Sequence, residues 1–340
     1  GKVLTDLGGI SDVANAVAVQ SDGRIVVAGK GGNNNDFAVV RYNPDGSLDQ
    51  SFGSGGKVLT DLGGYDMANS LQAASGGKLI VVGDSGSDFA VVRYNPDGTL
   101  DRAFGDQGKV LATVFGGYGP ATSVIQADGK IVISTSRAGY LLILRYDPDG
   151  SEDRSFADGG MVLSDLGGAY DAANAVAVQS DGRIVVAGTG GDNDDFAVVR
   201  YNPDGSLDQS FGSGGKVLTD LGRISDVANA VALQSDGRIV VAGSGGDNDD
   251  FAVVRYNPDG SLDQSFGSGG KVISDLGGYD QVRSAVIQPD GRIVVAGTRG
   301  PYQDFALVRY NPDGSLDQSF GSRGKVLTDL GGISDVANAV

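Results

Sequence analysis

The sequence predicts an all-β protein, a six-bladed β-propeller with four antiparallel strands in each blade. The motif Arg-Tyr-(Asn/Asp)-Pro-Asp-Gly occurs six times in 340 residues, at intervals of 52, 52, 55, 55 and 54 residues. Its arginines are Arg41, Arg93, Arg145, Arg200, Arg255 and Arg309. Each interval carries short apolar segments bounded by Gly, Asp, Asn or Pro, as strands are. Tandem four-stranded units of about 40 to 50 residues are typical of propeller blades.

The first repeat shows how the strands are predicted. Its β-branched-rich segments are 2–7, 14–20, 24–28 and 37–42, which gives four strands. The run Ile25-Val26-Val27-Ala28 is apolar on both alternating faces, so the strand must be covered on both sides. Face-to-face blades supply that cover. A β-helical solenoid is the alternative, but its turns are shorter, and no long apolar stripe of helical period supports a helical solenoid.

The repeats predict one domain, 1–340, whose six units start near residues 1, 56, 108, 160, 215 and 270. Residues 324–340 duplicate 1–17 without change, as a partial seventh repeat. Segments 2–7 and 325–330 therefore compete for one edge, beside the strand 305–310. The segment left over would expose an unpaired edge that another copy of the chain can accept, which leads to filaments.

Composition excludes several classes of function. The chain has no cysteine and no histidine, so thiol nucleophiles, imidazole bases and Cys/His zinc sites are absent. Because the remaining candidate groups recur once per repeat, the sequence predicts that the protein is not an enzyme. The net charge of -17 argues against a nucleic-acid partner and favours cations, unless the acidic groups only solvate the surface. No stretch approaches the ~18 apolar residues of a membrane span, so no membrane insertion is expected.

Two blocks of sequence carry a family resemblance. Residues Arg41-Tyr42-Asn43-Pro44-Asp45-Gly46-Ser47-Leu48-Asp49-Gln50-Ser51-Phe52-Gly53, followed by Gly56-Lys57-Val58, form the first, and Gln20-Ser21-Asp22-Gly23-Arg24-Ile25-Val26-Val27-Ala28-Gly29 form the second. Together they resemble the bacterial delta-60 repeat, over essentially the whole chain. The resemblance implies a large surface or secreted bacterial protein with no established activity and no catalytic residues to transfer. This chain departs from the pattern in its shorter period and in its third unit, where Val132-Ile133-Ser134-Thr135 replaces Val-Val-Ala-Gly.

A ring of polar residues is predicted at the mouth of the central channel, if the small-residue strand at 14–19 and its equivalents are innermost. The ring contains recurring aspartates, with asparagines three residues later that give way to arginine in the sixth unit; the third unit interrupts it with Tyr118 and Ala121. The members are Asp12, Asn15, Asp66, Asn69, Asp171, Asn174, Asp226, Asn229, Asp280 and Arg283. Clustered carboxylates are ligands for Ca²⁺ or Mg²⁺, so all five aspartates are candidate metal ligands. Alternatively each aspartate caps its own loop.

The remaining acidic segments receive different interpretations. The turn 43–49 resembles a calcium loop, but an arginine stands at its first ligand position, so we interpret it as a tight turn with Arg41 paired to Asp49 or Asp45. Loops 33–36, 192–195 and 247–250 are variable and acidic, and we expect them to share one surface and to form the ligand-binding face. The predicted function is an extracellular or cell-surface binding or adhesion scaffold for a protein or a glycan. The alternative is a structural subunit that self-associates through its terminal strands.

Overall fold

Six four-stranded antiparallel sheets form the blades of a six-bladed β-propeller, which confirms the fold predicted from the sequence. The computed structural model describes residues 2–9, 11–86, 88–113, 121–222, 225–246, 248–300, 304–329 and 336–340. The chain divides into two compact units, 1–138 with 143–161 and 139–142 with 162–340.

The strands of blades 1 to 3 follow one another in chain order across each sheet. Blade 1 contains β1 (Val13–Val19), β2 (Ile25–Gly31), β3 (Asp36–Tyr42) and β4 (Lys57–Thr60). Blade 2 contains β5 (Asp66–Ala73), β6 (Leu79–Ser85), β7 (Asp88–Tyr94) and β8 (Lys109–Thr113). Blade 3 contains β9 (Thr122–Ile125), β10 (Ile131–Arg137), β11 (Tyr140–Tyr146) and β12 (Met161–Ser164). A 3₁₀ turn, Ser75–Gly77, joins β5 to β6.

Blades 4 to 6 repeat the same plan. Blade 4 contains β13 (Ala172–Val178), β14 (Ile184–Gly190), β15 (Asp195–Tyr201) and β16 (Lys216–Thr219). Blade 5 contains β17 (Val227–Leu233), β18 (Ile239–Gly245), β19 (Asp250–Tyr256) and β20 (Lys271–Ser274). Blade 6 contains β21 (Gln281–Ile287), β22 (Ile293–Arg299), β23 (Asp304–Tyr310) and β24 (Lys325–Thr328).

The fourth strand of each blade comes from the segment that opens the next repeat, which begins Lys-Val in five blades and Met161-Val162 in blade 3. In blade 6, β24 pairs with β23 in the register Phe305↔Thr328, so the C-terminal copy of the duplicated segment holds this edge. The prediction that residues 2–7 form a strand is wrong. This segment instead lies beside blade 1, where the hydroxyl groups of Thr5 and Tyr42 are 2.6 Å apart. Residues 2–7 form no strand at the edge of blade 6 because β24 already pairs with β23 there.

The blades pack face to face through apolar side chains, as the two-sided apolar strands require. Within the first unit, Val26 and Phe37 of blade 1 pack with Leu79 and Val92 of blade 2. Phe52, which follows the Pro-Asp-Gly turn, has no exposed surface and belongs to the same core. Within the second unit, first strand β17 contacts both β13 and β21, as innermost strands do. Among the described residues, no helix has the length and apolarity that a bilayer span demands.

Candidate functional site

The asparagines and the arginine of the predicted ring lie three residues after its aspartates. Each of them lies at a β-bulge in the first strand of its blade, which the sequence does not predict. The register between the first and second strands shifts at these positions, which inserts one extra residue into the first strand. The bulges fall at Asn15, Asn69, Asn174, Asn229 and Arg283. A bulge changes the direction of the side chain at the inserted residue. These side chains therefore do not follow the alternation between the two faces of the strand.

The asparagines of this set connect structural elements. Nδ2 of Asn174 donates to the carbonyl oxygen of Ala228 at 3.0 Å, and Nδ2 of Asn229 donates to that of Val282 at 2.9 Å. Asn15 makes the equivalent bond to Ala68, at 2.9 Å. These bonds join successive first strands within a unit. Asn69 differs, because it donates to Oδ2 of Asp84 at 2.7 Å.

The predicted ring aspartates each cap the loop that precedes them. In every case Oδ2 accepts a hydrogen bond from a leucine amide four or five residues earlier. The donor and acceptor pairs are Leu7 and Asp12, Leu62 and Asp66, Leu166 and Asp171, Leu221 and Asp226, and Leu276 and Asp280. All except Asp12 are buried, with at most 1% of the residue exposed. Tyr118 lies outside the described residues, and Ala121 is buried in the core.

Three of these aspartates also belong to acidic clusters at the boundaries between blades, which we call junction clusters. Each contains the first residue of a third strand, the residue after the fourth strand, and the aspartate that precedes or begins the next blade's first strand. The members are Asp36, Asp61 and Asp66 at junction 1/2; Asp195, Asp220 and Asp226 at junction 4/5; and Asp250, Asp275 and Asp280 at junction 5/6. In each cluster, one carboxylate oxygen per residue lies within 4.8 Å of the others.

A backbone bond brings these segments together. The amide of Asp66 donates to the carbonyl oxygen of Asn35 at 2.9 Å, and that of Asp226 donates to Asp194 at 2.7 Å. Asn35 and Asp194 hold φ values of 54° and 52°, a left-handed conformation that Asn and Asp tolerate. The variable acidic loop thus contacts the start of the next blade. Asp192, Asn193, Asn33 and Asn34 lie in these loops, and Asp247 lies outside the described residues.

Burial and neighbouring carboxylates raise the pKa of some of the clustered aspartates. Burial raises the pKa of Asp36, and the negative charges of Asp61 and Asp66 raise it further. At junction 4/5, burial likewise raises the pKa of Asp195 and of Asp226, and the charge of Asp220 adds to both shifts. The clusters at junctions 1/2 and 4/5 therefore hold concentrated negative charge.

A polar pocket of about 560 Å³ lies between blades 5 and 6 in the second unit. It brings two predicted ring residues, Asn229 and Arg283, together with Ser244, Asp249 and Gln281. Arg283 is exposed, and its NH2 donates to Oε1 of Gln281 at 2.8 Å.

Exposed tyrosines accompany the junctions. Tyr65, Tyr170 and Tyr279 stand directly before the capping aspartates and are 51%, 77% and 64% exposed. The metal ligands predicted from the sequence include neither these tyrosines nor Asp36 and Asp61. Their recurrence at fixed positions in several repeats was the available signal.

Solved structures that resemble this chain share its fold at low sequence identity. A catalytically inactive virginiamycin B lyase from Staphylococcus aureus, crystallised with quinupristin, is 10% identical with a TM-score of 0.55, covering 89% of this chain and 83% of its own. An ulvan lyase of polysaccharide lyase family PL25 is 14% identical with a TM-score of 0.52, covering 86% and 78%. Semaphorin 1a of Drosophila, extracellular domains 1-2, is 11% identical with a TM-score of 0.51, covering 93% and 80%.

These neighbours contradict the prediction that the protein is not an enzyme. Two of them are lyases, so this fold is compatible with catalysis. The prediction relied on the absence of histidine and cysteine and on the near-identity of the repeats, but function depends on the site that a fold carries. At these identities the likeness shows the fold alone.

Sequence comparison identifies the family. No curated protein matches the chain significantly. A family described as "Domain of unknown function (DUF5122) beta-propeller" matches six segments, which together cover more than half of the chain: residues 20–52, 75–104, 126–156, 179–211, 234–266 and 288–320. The chain belongs to this DUF5122 β-propeller family.

Proposed function

We propose that this propeller is a binding scaffold for a glycan, and that the ligand lies in the pocket between blades 5 and 6. The observation that carries the proposal is a polar pocket whose lining lies two residues along the chain from an exposed tyrosine. Tyr279 is 64% exposed and stands two residues before Gln281, which lines the pocket. A flat aromatic surface beside fixed polar groups is a common arrangement for recognising a ligand.

The chemistry of the pocket suits hydroxyl-rich ligands. The side chains of Asn229, Gln281 and Ser244 offer donors and acceptors, Arg283 offers charged donors, and Asp249 offers acceptor oxygens. The strands that carry these residues form a packed core, so the polar groups are held on a rigid support. The chemical groups of the pocket thus match a sugar better than an apolar molecule.

An extracellular or cell-surface location belongs to the same proposal. The likeness of the repeats to delta-60 repeat proteins supports it, because that family consists of surface or secreted proteins. Adhesion to another cell would follow from glycan binding at such a location.

A glycan array with the full chain tests the proposal, followed by affinity measurements on the best ligand. We expect Tyr279→Ala and Arg283→Ala each to weaken binding by about tenfold or more. Tyr170→Ala is the matched control, because Tyr170 is also an exposed tyrosine before a capping aspartate. The proposal fails if the array shows no ligand, or if Tyr279→Ala and Arg283→Ala bind as tightly as the parent.

Self-association is a second candidate function, and the terminal repeats favour it. Ala14 in the first strand of blade 1 is exposed, although its equivalents Ala68, Ala173 and Ala228 have no exposed surface. Ala337, which occupies the same position in the duplicated sequence, is only 2% exposed. Residues 336–340 lie against blade 6, where the amide of Val340 donates to Oγ of Ser284 at 3.3 Å.

Blade 6 thus has a binding surface for a segment with the sequence of 13–17. Blade 1 exposes a strand that has this sequence. A cavity of about 170 Å³ on this face is lined by Leu4, Val13, Ala14, Val27 and Val40, among others. The partner that fits this face is blade 6 of a second copy of the chain. In that contact, β1 of the first copy replaces residues 336–340 of the second copy. Such a head-to-tail contact can propagate.

Light scattering over a concentration series tests this candidate. We expect deletion of 336–340 to increase association, because it exposes the surface of blade 6 that these residues cover. Ala14→Glu should abolish association, because it adds a charge to the apolar face of blade 1. Ala103→Glu is the control, since Ala103 is an exposed alanine in a turn. If the parent and the deletion variant stay monomeric at all concentrations, or if Ala14→Glu associates like the parent, self-association is wrong.

A further inference from the structure

The junction clusters bring carboxylates from three different elements to one point. At junction 1/2, Asp36 begins β3, Asp61 follows β4, and Asp66 begins β5 of the next blade. Their nearest oxygens lie within 4.8 Å of one another. Calcium holds its oxygen ligands at about 2.3 to 2.6 Å, so two ligands of one ion are at most about 4.6 to 5.2 Å apart. The separation in the cluster meets that limit.

A buried oxygen without a partner is the second observation. Asp66 has no exposed surface, and its Oδ2 accepts the hydrogen bond from Leu62. Its Oδ1 is buried with no hydrogen-bond partner. At junction 4/5, Oδ2 of Asp226 is bound to Leu221, and its Oδ1 is buried with no donor at hydrogen-bond geometry, although the amide of Gly246 lies close enough to lower the pKa of this carboxyl. An unpaired carboxylate oxygen away from water is costly, so each position favours a ligand that pairs with it.

The other members of the cluster also have oxygens available. Oδ1 of Asp36 is buried without a hydrogen-bond partner. Asp61 is exposed, and its Oδ1 accepts the amide of Gly63 at 2.8 Å, which leaves Oδ2 toward solvent. The site therefore offers one carboxylate oxygen from each residue and an open side where water can complete the coordination.

The lysines and arginines that the structure describes do not neutralise these carboxylates. Among the described residues, no lysine or arginine forms an ion pair with the side chains of junctions 1/2 and 4/5. Lys109 approaches junction 1/2, but its Nζ donates to the backbone oxygen of Asp61 at 3.0 Å. Lys271 does the same with the backbone oxygen of Asp220, at 2.7 Å. The lysines therefore leave the carboxylate oxygens free.

Junction 5/6 differs in ways that reduce its affinity for a cation. Oδ1 of Asp280 accepts the amide of Gly300 at 3.1 Å, so the oxygen that is buried without a hydrogen-bond partner in Asp66 is engaged here. The guanidinium of Arg299 lies nearby, with Nε bound to the backbone oxygen of Leu276 at 2.6 Å. A fixed positive charge and a satisfied oxygen both oppose metal binding.

We propose that the carboxylates of Asp36, Asp61 and Asp66, and those of Asp195, Asp220 and Asp226, form two calcium sites that join one blade to the next. Calcium fits better than magnesium because it accepts six to eight oxygens in flexible geometry, whereas magnesium demands a near-ideal octahedron with shorter bonds. The ion ties the variable loop before each third strand to the start of the next blade. This role goes beyond glycan binding.

The test is calorimetric titration of the chelator-treated full chain with calcium chloride, and separately with magnesium chloride. We expect calcium to bind and to raise the melting temperature, since a ligand of the folded state stabilises it. Asp61→Asn and Asp220→Asn should each weaken one site by about tenfold or more. Both residues are exposed, and asparagine keeps the oxygen that accepts the amide of Gly63 or Gly222, so both variants should fold.

Asp88→Asn is the matched control. Asp88 begins β7, as Asp36 begins β3, but threonine at position 113 and tyrosine at position 118 replace the other two aspartates in sequence. This variant should titrate like the parent. The proposal is overturned if millimolar calcium gives neither heat nor a higher melting temperature, if magnesium binds as tightly as calcium, or if Asp61→Asn and Asp220→Asn both keep the parent's stoichiometry and affinity. Because no glycan is used, the result is independent of the proposed ligand.

Discussion

Arg200 and Asp208 form a buried ion pair, with Nε of the arginine 2.8 Å from Oδ2 of the aspartate. The two side chains are 5% and 6% exposed. The guanidinium also lies over the ring of Phe211, 4.4 Å from its centroid, and NH1 donates to the backbone oxygen of Pro258 in blade 5 at 2.5 Å. One side chain thus joins its own turn to the next blade. Equivalent pairs recur in all six repeats.

Loss of this arginine should therefore destabilise the protein. We expect Arg200→Met to lower the free energy of unfolding by about 3 kcal/mol, because it leaves Asp208 buried with weaker compensation. Arg102→Met is the control: Arg102 is exposed, and we expect a change within about 0.5 kcal/mol. Urea unfolding of both variants measures the difference. Equal stability of the two would contradict a structural role for the pair.

The same repeated turn predicts how stability depends on acid. Hydrogen bonds from Ser51, together with Arg41, lower the pKa of Asp49 to about 2, and bonds from Ser319 with Arg309 lower that of Asp317 to about 2. An aspartate in an unfolded chain titrates near about 3.9. The folded state therefore gains stability from these carboxylates above pH 4, and loses it as the pH falls from about 4 to about 2.

Removal of the hydroxyl of Ser51 should narrow the pH range in which the carboxylate of Asp49 stabilises the folded state. We expect Ser51→Ala to raise the pKa of Asp49 and to move the midpoint of acid unfolding to higher pH. Circular dichroism during an acid titration measures the midpoint. Ser54→Ala is the control, because Ser54 is an exposed serine of the same turn region. If both variants unfold at the parent's midpoint, the hydroxyl of Ser51 does not stabilise the carboxylate.

The blade architecture was predictable because each repeat contains all of its own signals. Apolar runs such as Ile25–Gly31 form strands, and the Pro-Asp-Gly turn closes through a hydrogen bond from Gly46 to Asn43 at 2.9 Å. The prediction that residues 2–7 form a strand failed for a nonlocal reason. A strand needs an edge to pair with, and the edge beside β23, where residues 2–7 were expected, is already occupied by β24.

The candidate site was less predictable, because its geometry depends on contacts between repeats. The sequence placed Asp66 in a ring with its equivalents, whereas the structure brings it to Asp36 and Asp61. Residues separated by 30 positions meet here because a backbone bond ties Asp66 to Asn35. The bulge at Asn69 was also hidden, since alternation in sequence gives no sign of a shift in register.

A hydrogen bond between neighbouring blades gives a further prediction. The hydroxyl groups of Thr219 and Tyr256 are 2.8 Å apart and buried, and burial raises the pKa of Tyr256 well above its usual range. Tyr256→Phe should cost about 1 to 3 kcal/mol, because it leaves the hydroxyl of Thr219 buried without a partner. Adding Thr219→Val should recover part of this loss.

A double-mutant cycle measured by urea unfolding checks the coupling. The four proteins are the parent, Tyr256→Phe, Thr219→Val and the double variant, and we expect a coupling energy of about 1 kcal/mol. Thr5 and Tyr42 form the equivalent pair in a partly exposed setting, so Tyr42→Phe should cost less than Tyr256→Phe. Additive losses in the cycle would show that the bond contributes no stability.

The last prediction concerns the glycine of the Pro-Asp-Gly turn in blade 5. Gly260 has a φ of 88°, and a Cβ atom added there would lie 2.8 Å from the amide nitrogen of Gly212 in the preceding segment. That amide donates to the backbone oxygen of Asp259 at 2.8 Å, so a side chain would disturb a bond between adjacent repeats. We expect Gly260→Ala to cost about 3 kcal/mol in unfolding free energy, from left-handed strain and overpacking together.

Gly63→Ala separates the two effects, because Gly63 has a φ of 99° but no atom within 4 Å of the added Cβ. This control should lose about 1 kcal/mol, from backbone strain alone. Urea unfolding measures both variants, and equal losses would mean that close approach to Gly212 does not explain the glycine at position 260.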